Sequence, residues 1–359
     1  MPSDTNSLWD RTLCPTFSLS ELLATLAFSF VPGFSVKKFY PLYDHYGSAS
    51  KAWESCNNKD ALEKAEKELN LACAHNITLL PITSPEYPAA FKALSDAPLI
   101  LYVKGKLPPP DAVKIGIVGT RNATVWGIEC TTAFAKHLSK CGAWVISGLA
   151  RGVDTAAHEA SLSGTCAIIG SGLLHIYPRE NVSLAEKIAQ NGAVISELPL
   201  LTSPTRFSFP KRNRLISALS DALLLTEAPL KSGAMITMFI GEKQNKPLFT
   251  VPGRAMNENY AGNHALLKTA KARLVDSPQE LAAQINLKTV KIAQNAVKPV
   301  LISPLEQKIL DILYQSEVSL DELSVKICLP ISILQVSLTK LVLRKLAVEL
   351  PGKRYKQIG

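Results

Sequence analysis

Apolar positions in the first quarter of the chain recur at helical spacing. SLSELLATLAFSF carries them on one helical face, VPGFS reads as a turn, VKKFYPLYDHYG follows, and KDALEKAEKELNLACAH is strongly amphipathic. Residues 18 to 75 are therefore expected to be helical. From about 98 to 276 the pattern changes to short apolar runs, VKIGIVG, AWVISG, TCAIIG, AVISE, DALLLTEA, PLFTVPG and ARLVD. Each ends in a glycine or polar turn, and helical stretches such as TTAFAKHLSKCG, DTAAHEASLSG and LAEKIAQNG lie between them. Valine- and isoleucine-rich runs alternating with helices spell repeated β-α units, hence a parallel sheet covered on both faces. The stretch 77–107 is expected to add an element at its edge. Beyond Leu281 the pattern is polar and aperiodic. It sharpens again near residue 303 into a helix, a second helix opened by Ser319 with Glu322 three residues on, a third after Leu329-Pro330, and a short strand with a Pro351-Gly352 turn.

These changes predict an α/β protein in four parts. They are a small helical domain (1–82), a Rossmann-like doubly wound parallel sheet (83–283), a linker (284–302) and three helices with a basic hairpin in winged-helix order (303–359). Pro32-Gly33-Phe34-Ser35 could be a phosphate-meeting helix-hairpin-helix turn. Its usual second glycine is Ser35, however, and an ordinary helix connection is the simpler reading.

Composition narrows the class. With 359 residues, 47% hydrophobic and 19% charged, disorder, collagen-like repeats and a mini-protein are excluded as overall descriptions. No apolar run approaches the roughly 20 residues of a membrane-spanning helix, and no export leader is expected. Seven scattered cysteines, none in a C-x-x-C pair, point to a reduced cytoplasm rather than a disulfide framework or zinc ribbon. The net charge of +9 favours polyanionic partners, and eleven basic against six acidic residues lie in 284–359.

The first turn, Gly116-Ile-Val-Gly119-Thr120-Arg121-Asn122, is neither G-x-G-x-x-G nor a Walker loop, so dinucleotide or ATP use is not supported and no cofactor is expected. It does place an arginine where a strand gives way to a helix, whose exposed amides already favour an anion. The arrangement recurs at Gly148-Leu-Ala-Arg151-Gly152-Val-Asp154, at Ser171-Gly172 through Tyr177-Pro178-Arg179, at Phe207-Ser-Phe209-Pro210-Lys211-Arg212-Asn213-Arg214, at Lys231-Ser232-Gly233 and at Pro252-Gly253-Arg254. In a parallel sheet these turns gather at one edge, where such folds bind ligands. An anion site several phosphates long follows, with Trp126, Tyr177, Phe207 and Phe209 available to stack unpaired bases or, equally, to pack on helices. Phe209, beside the basic run, is expected to face nucleic acid.

Catalytic patterns are thin. Asp154 and His158 lie four apart on one helix face, but no third ligand is near, and a buried hydrogen bond holding the turn is the better reading; no metal site is expected. Ser147, Ser171 and Ser232 sit in glycine-containing turns without G-x-S-x-G. Helix capping explains Ser232.

The words GTRNATVWG, SGLARGVDTAAHEAS, GSGL, YPREN, LAEKIAQNGAVISELP, FPKRNRLISALSDALLLTEA, KSGAMIT, LFTVPG and GNHALL, in that order, closely resemble the DprA/Smf (DNA-processing protein A) family. The resemblance implies an extended Rossmann domain that binds single-stranded DNA, forms homodimers and helps load the recombinase RecA during natural transformation, between a SAM-like helical module and a winged helix. Carried over by position, it implies DNA contacts at Arg121, Arg179, Lys211 and Arg212. Backbone would approach phosphates at Gly119, Gly148, Gly152, Gly170 and Gly172, and Lys231, Ser232 and Gly233 would form a further loop at the same edge. Asn213 and Arg214 could serve DNA or hold loops together. The family's usual Gly-Ala before its last strand is replaced here by Thr269-Ala270-Lys271-Ala272. Two other readings stay open: a Rossmann-like enzyme handling a nucleotide monophosphate, and a duplex-specific regulator acting through the C-terminal module, which could equally contact protein.

Overall fold

Short runs of two to six residues, most of them hydrophobic, form the strands of a nine-stranded sheet in the computed structural model, which describes residues 18–56, 58–287, 303–315, 317–344, 346–350 and 352–357. The strands are β1 (Thr78–Pro81), β2 (Ile100–Gly105), β3 (Lys114–Val118), β4 (Trp144–Ser147), β5 (Thr165–Ile168), β6 (Ala193–Ser196), β7 (Ala222–Leu225), β8 (Leu248–Thr250) and β9 (Arg273–Leu274). Their order is β1-β2-β6-β5-β4-β3-β7-β8-β9. From β6 to β9 every pairing is parallel, whereas β2 runs antiparallel to both β1 and β6. Of the parallel strands, β3 to β8 are almost wholly buried, as their Val/Ile/Leu content requires, while the short edge strand β9 is exposed. β1 and β2 are the edge element expected from 77–107. Order reverses between β3 and β7, so a crevice opens above their carboxyl ends.

The boundary expected at 82/83 crosses one continuous core. Leu22 and Leu26 of helix Leu19–Phe30 and Leu69 of helix Lys59–Ala74 share a cluster with Leu79, Ile100, Tyr102 and Val194 of the sheet. Phe28 and Phe39 pack in another with Leu80, Tyr87 and Phe91. Two compact units divide the chain, Met1–Ile292 and Ala293–Gly359, and the helices belong to the first. In the Pro32–Ser35 turn, Phe34 stacks on Phe28 and Lys38 donates to the Gly33 carbonyl, an ordinary connection tied into the core.

The expected linker also starts later than its pattern suggested. Helix Pro278–Gln284 runs through position 284, and Ile285 and Leu287 pack against the core of helix Val125–Lys140. The rest, 288–302, lies outside the described residues, as does 1–17, where the absence of a leader was read.

In the second unit, helices Pro304–Gln315, Leu320–Ile327 and Ile331–Leu343 enclose Ile309, Leu313, Leu323, Leu334, Leu338 and Tyr355. β10 (Val318–Ser319), β11 (Ala347–Leu350) and β12 (Arg354–Gln357) form an antiparallel sheet in the order β10-β12-β11. Ser319 and Glu322 make the expected reciprocal cap. Among the described residues no single helix is long and apolar enough to cross a membrane, the cysteines are free, and no cluster of His, Cys, Asp or Glu could hold a metal ion.

Candidate nucleic-acid interface

Above the switch between β3 and β7 lies an open cleft of about 700 Å³. One wall is the Gly119–Arg121 turn after β3, another is the first turn of helix Ser208–Leu219, and a third is Pro229–Ala234, where helix Gly233–Lys243 begins. Ser232 caps that helix by accepting from the Met235 amide. The amides of Gly233 and Ala234 precede the first intrahelical bonds, and the space around Gly233 is open, so an anion can reach this end.

Arg121 is exposed, with its guanidinium 5.0 Å from the centre of the Phe209 ring, and Tyr177 lies 5.8 Å from the same ring. The stacked cation leaves its N–H edge for a phosphate, while the rings offer surface to a base. Arg206 and Lys231 complete the cationic rim. Tyr177 and Pro204 also line a second cleft of about 750 Å³, which holds Arg179, Lys104 and His175. The two clefts meet at Tyr177 and Pro204 and together make a groove: the first lies over the carboxyl ends of β3, β4 and β7, and the second runs from the loop after β5 down to Lys104, which pairs opposite Val194 near the start of β6.

The FPKRNR run does not act as a block. Because 208–219 is helical, Phe209, Arg212, Asn213 and Ile216 share the face that lines the cleft, and Lys211 turns away. Lys211 lines neither cleft and stands 3.6 Å from Glu197. Arg212 lines the cleft and also serves as a strut. It is buried, donates to the carbonyls of Gly148 and Ile168, and reaches the Asn213 amide oxygen. Burial brings its pKa down to about 10 although Asp154 opposes the fall. Asn213 also donates to the Gly233 carbonyl, and Arg214 is held by Glu197 and Asp96. Both hold loops together.

The glycines serve the protein's own packing. A Cβ on Gly148 would meet the Arg212 guanidinium at 2.6 Å. At Gly152, where φ is +71°, it would meet the Thr120 carbonyl at 2.5 Å. On the side where a Cβ would point, Gly119 faces Val153, Gly170 faces Phe209, and Gly172 faces the Pro199 and Leu200 carbonyls, so a side chain at any of them would collide with the protein.

Asp154 and His158 are structural as well. The Asp154 carboxylate accepts the Gly148 and Ala150 amides, holding the turn, and burial raises its pKa. His158 is fully buried, shares a 2.7 Å hydrogen bond with Thr165, and is pushed down to about 3 by burial and by Arg212. A neutral imidazole so enclosed is not an acid-base catalyst.

Sequence reading missed two carboxylates. Buried Glu227 accepts the Thr124 amide and hydroxyl and the Tyr260 hydroxyl. Glu68, from the helical segment, accepts the Leu200 amide at 2.6 Å and so ties down the loop leading to Pro204. Glu227 had a visible sign in its place at the end of a strand, in LLLTEA. Glu68 had none, because its partner is 132 residues away.

The carboxyl edge of this open α/β sheet brings amides, guanidinium groups and rings to one crevice, the place where such folds take ligands and a chemistry suited to phosphate. Residues 78–286 match the model of DNA recombination-mediator protein A, and the chain belongs to that family, the DprA/Smf proteins of DNA processing and recombination. It is 35% identical over 222 residues to DNA processing protein DprA of Bacillus subtilis (strain 168), covering 61% of this chain and 74% of that one. It is 37% identical over 210 residues to Protein Smf of Escherichia coli (strain K12), covering 57% and 56%. Among solved structures, DNA processing protein A of Helicobacter pylori, described for its single-stranded DNA binding mode, is 35% identical over 58% of this chain and 95% of that one, with a TM-score of 0.55. DprA of Streptococcus pneumoniae is 27% identical over 74% and 98%, with a TM-score of 0.63.

Proposed function

We propose that the groove binds single-stranded DNA without sequence preference and that the protein acts by binding, protecting a strand and passing it to RecA. The carrying observation is the Arg121-Phe209-Tyr177 cluster at the mouth of a groove bordered by the cations Arg206, Lys231 and Arg179, none of them ion-paired among the described residues. A single nucleotide would need one such site. A chain of phosphates meets several, and its unpaired bases can reach the rings. The H. pylori relative's single-strand binding supports the same reading. Transfer to RecA, action in natural transformation, pairing with a second copy and a winged-helix contact with duplex DNA or protein belong to this proposal through family membership.

The test is fluorescence anisotropy with a labelled oligothymidylate. Changing Arg121 and Lys231 together to alanine is expected to weaken binding at least about a hundredfold, two charge-assisted contacts of roughly 1.5 to 3 kcal/mol each, with the melting temperature unchanged. Arg212→Ala is expected to lower melting and binding together, since it leaves the Gly148 and Ile168 carbonyls without a donor. Parental affinity in the Arg121/Lys231 variant, or turnover of any nucleotide, overturns the proposal.

A further inference from the structure

We propose that a third cleft, on the other side of the β3 turn, holds an unpaired nucleobase and its phosphate, so that a strand leaving the groove continues across β7 toward β8. This rests on the single-strand reading above. The cleft measures about 680 Å³ and is lined by Thr124, Trp126 and Glu129 from the start of helix Val125–Lys140, and by Arg254, Asn257 and Tyr260 after β8. It shares no lining residue with the first cleft, yet one segment serves both. Gly119–Arg121 faces the groove, and Thr124–Glu129 faces the third cleft. In the sheet, β8 is two strands from β3, roughly 10 Å at ordinary strand spacing. That is within the reach of a few stacked nucleotides at about 3.4 Å each.

Its chemistry suits that ligand. Trp126 is 44% exposed, an unusual state for an indole, and packs edge-on against Tyr260 at 5.6 Å and 75°. Tyr260 is itself buried and pinned, its hydroxyl donating to Glu227 at 2.9 Å. Glu227 also takes the Thr124 amide and hydroxyl, so the whole wall behind the indole is fixed before any ligand arrives. A rigid ring with one side open is a stacking platform. Arg254 is exposed, and no carboxylate among the described residues pairs with it, leaving its guanidinium for a phosphate. Glu129 disfavours a second phosphate beside the indole and can accept from a base N–H, which selects a nucleotide unit over a compact polyanion. Met256, beside Arg254, is fully exposed in left-handed backbone at φ 60°. The loop thus holds an apolar side chain in water at the cleft's margin.

The experiment is a length series of oligothymidylates, 4 to 20 nucleotides, titrated against the full chain and Trp126→Ala, Arg254→Ala and the double variant. Affinity for the shortest oligomers, which fill only the groove, is expected to stay as in the parent. Affinity for the long ones is expected to fall roughly tenfold or more in the double variant, the loss of one stacked base and one phosphate contact. Intrinsic fluorescence should be quenched by long oligomers in the parent and much less in Trp126→Phe. Equal losses at every length, or none, overturn the inference while leaving the groove proposal standing. Failure of every oligomer to bind the parent would instead remove the groove. Free dTMP that quenches Trp126 and is not displaced by long oligomers would make this a mononucleotide site and overturn the strand path.

Discussion

At the scale of single residues, the site separates cations that face solvent from one that does not. Arg121 and Arg212 lie close enough for one to lower the other's pKa, yet Arg121 lies over a ring at the surface and Arg212 is spent on two carbonyls inside. His158 belongs to the same interior. Its Nδ1 is bonded to Thr165, its Nε2 has no partner among the described residues, and its pKa of about 3 lies below the usual 6.5. The unfolded chain therefore binds a proton that the folded chain refuses, so stability is held above pH 6.5 and lost as the pH falls from there toward 3. The slope is about 1.4 kcal/mol per pH unit from this group. Urea titrations at pH 7.0, 6.0 and 5.0 should show a shallower loss in His158→Gln than in the parent. An identical slope would mean the imidazole does not stay neutral.

At the scale of elements, helix Ala261–Lys268 ends without a glycine. Thr269 caps it and Ala270 follows with φ of 52°, the left-handed conformation in which a helix usually ends on glycine. Alanine there costs about 1 kcal/mol. Ala270→Gly should accordingly raise stability by up to about 1 kcal/mol in chemical denaturation, while Ala265→Gly on the same helix should lower it by about as much. The strands of the sheet were legible because fully buried parallel strands leave unbroken Val/Ile/Leu runs between glycine turns, and the turns then fall at one edge by topology. The helix bearing FPKRNR was less so. Its basic letters read as a patch, although helical spacing from Phe209 to Arg212, Asn213 and Ile216 already implied that one face turns inward and leaves Lys211 outside. Lys104 and Glu68 could not be found at all, since each enters the site region from an element whose placement is decided by antiparallel pairing and core packing far along the chain.

At the scale of the whole molecule, binding by a row of cations carries an ionic-strength signature. Arg121, Arg206, Lys231 and Arg179 border the groove without an ion pair among the described residues, while Lys104 is held by Glu186 and Arg151 by Glu180. Four phosphates neutralised on a single strand give a slope of log affinity against log salt of roughly −3. Anisotropy titrations between 50 and 300 mM chloride should recover it, and a slope near zero would mean the affinity is not built on phosphate contacts.

The family match begins at residue 78, on the first residue of β1. Yet Leu79, Ile100 and Tyr102 on that margin are kept dry by Leu22, Leu26 and Leu69, which lie before it. A shortened relative comprising the matched stretch alone would leave that flank bare, so it must recruit another covering, from a different prefix or from a neighbouring molecule. The amino-terminal helices are in that sense upholstery for the sheet, and exchanging them between relatives would need matching changes on β1 and β2.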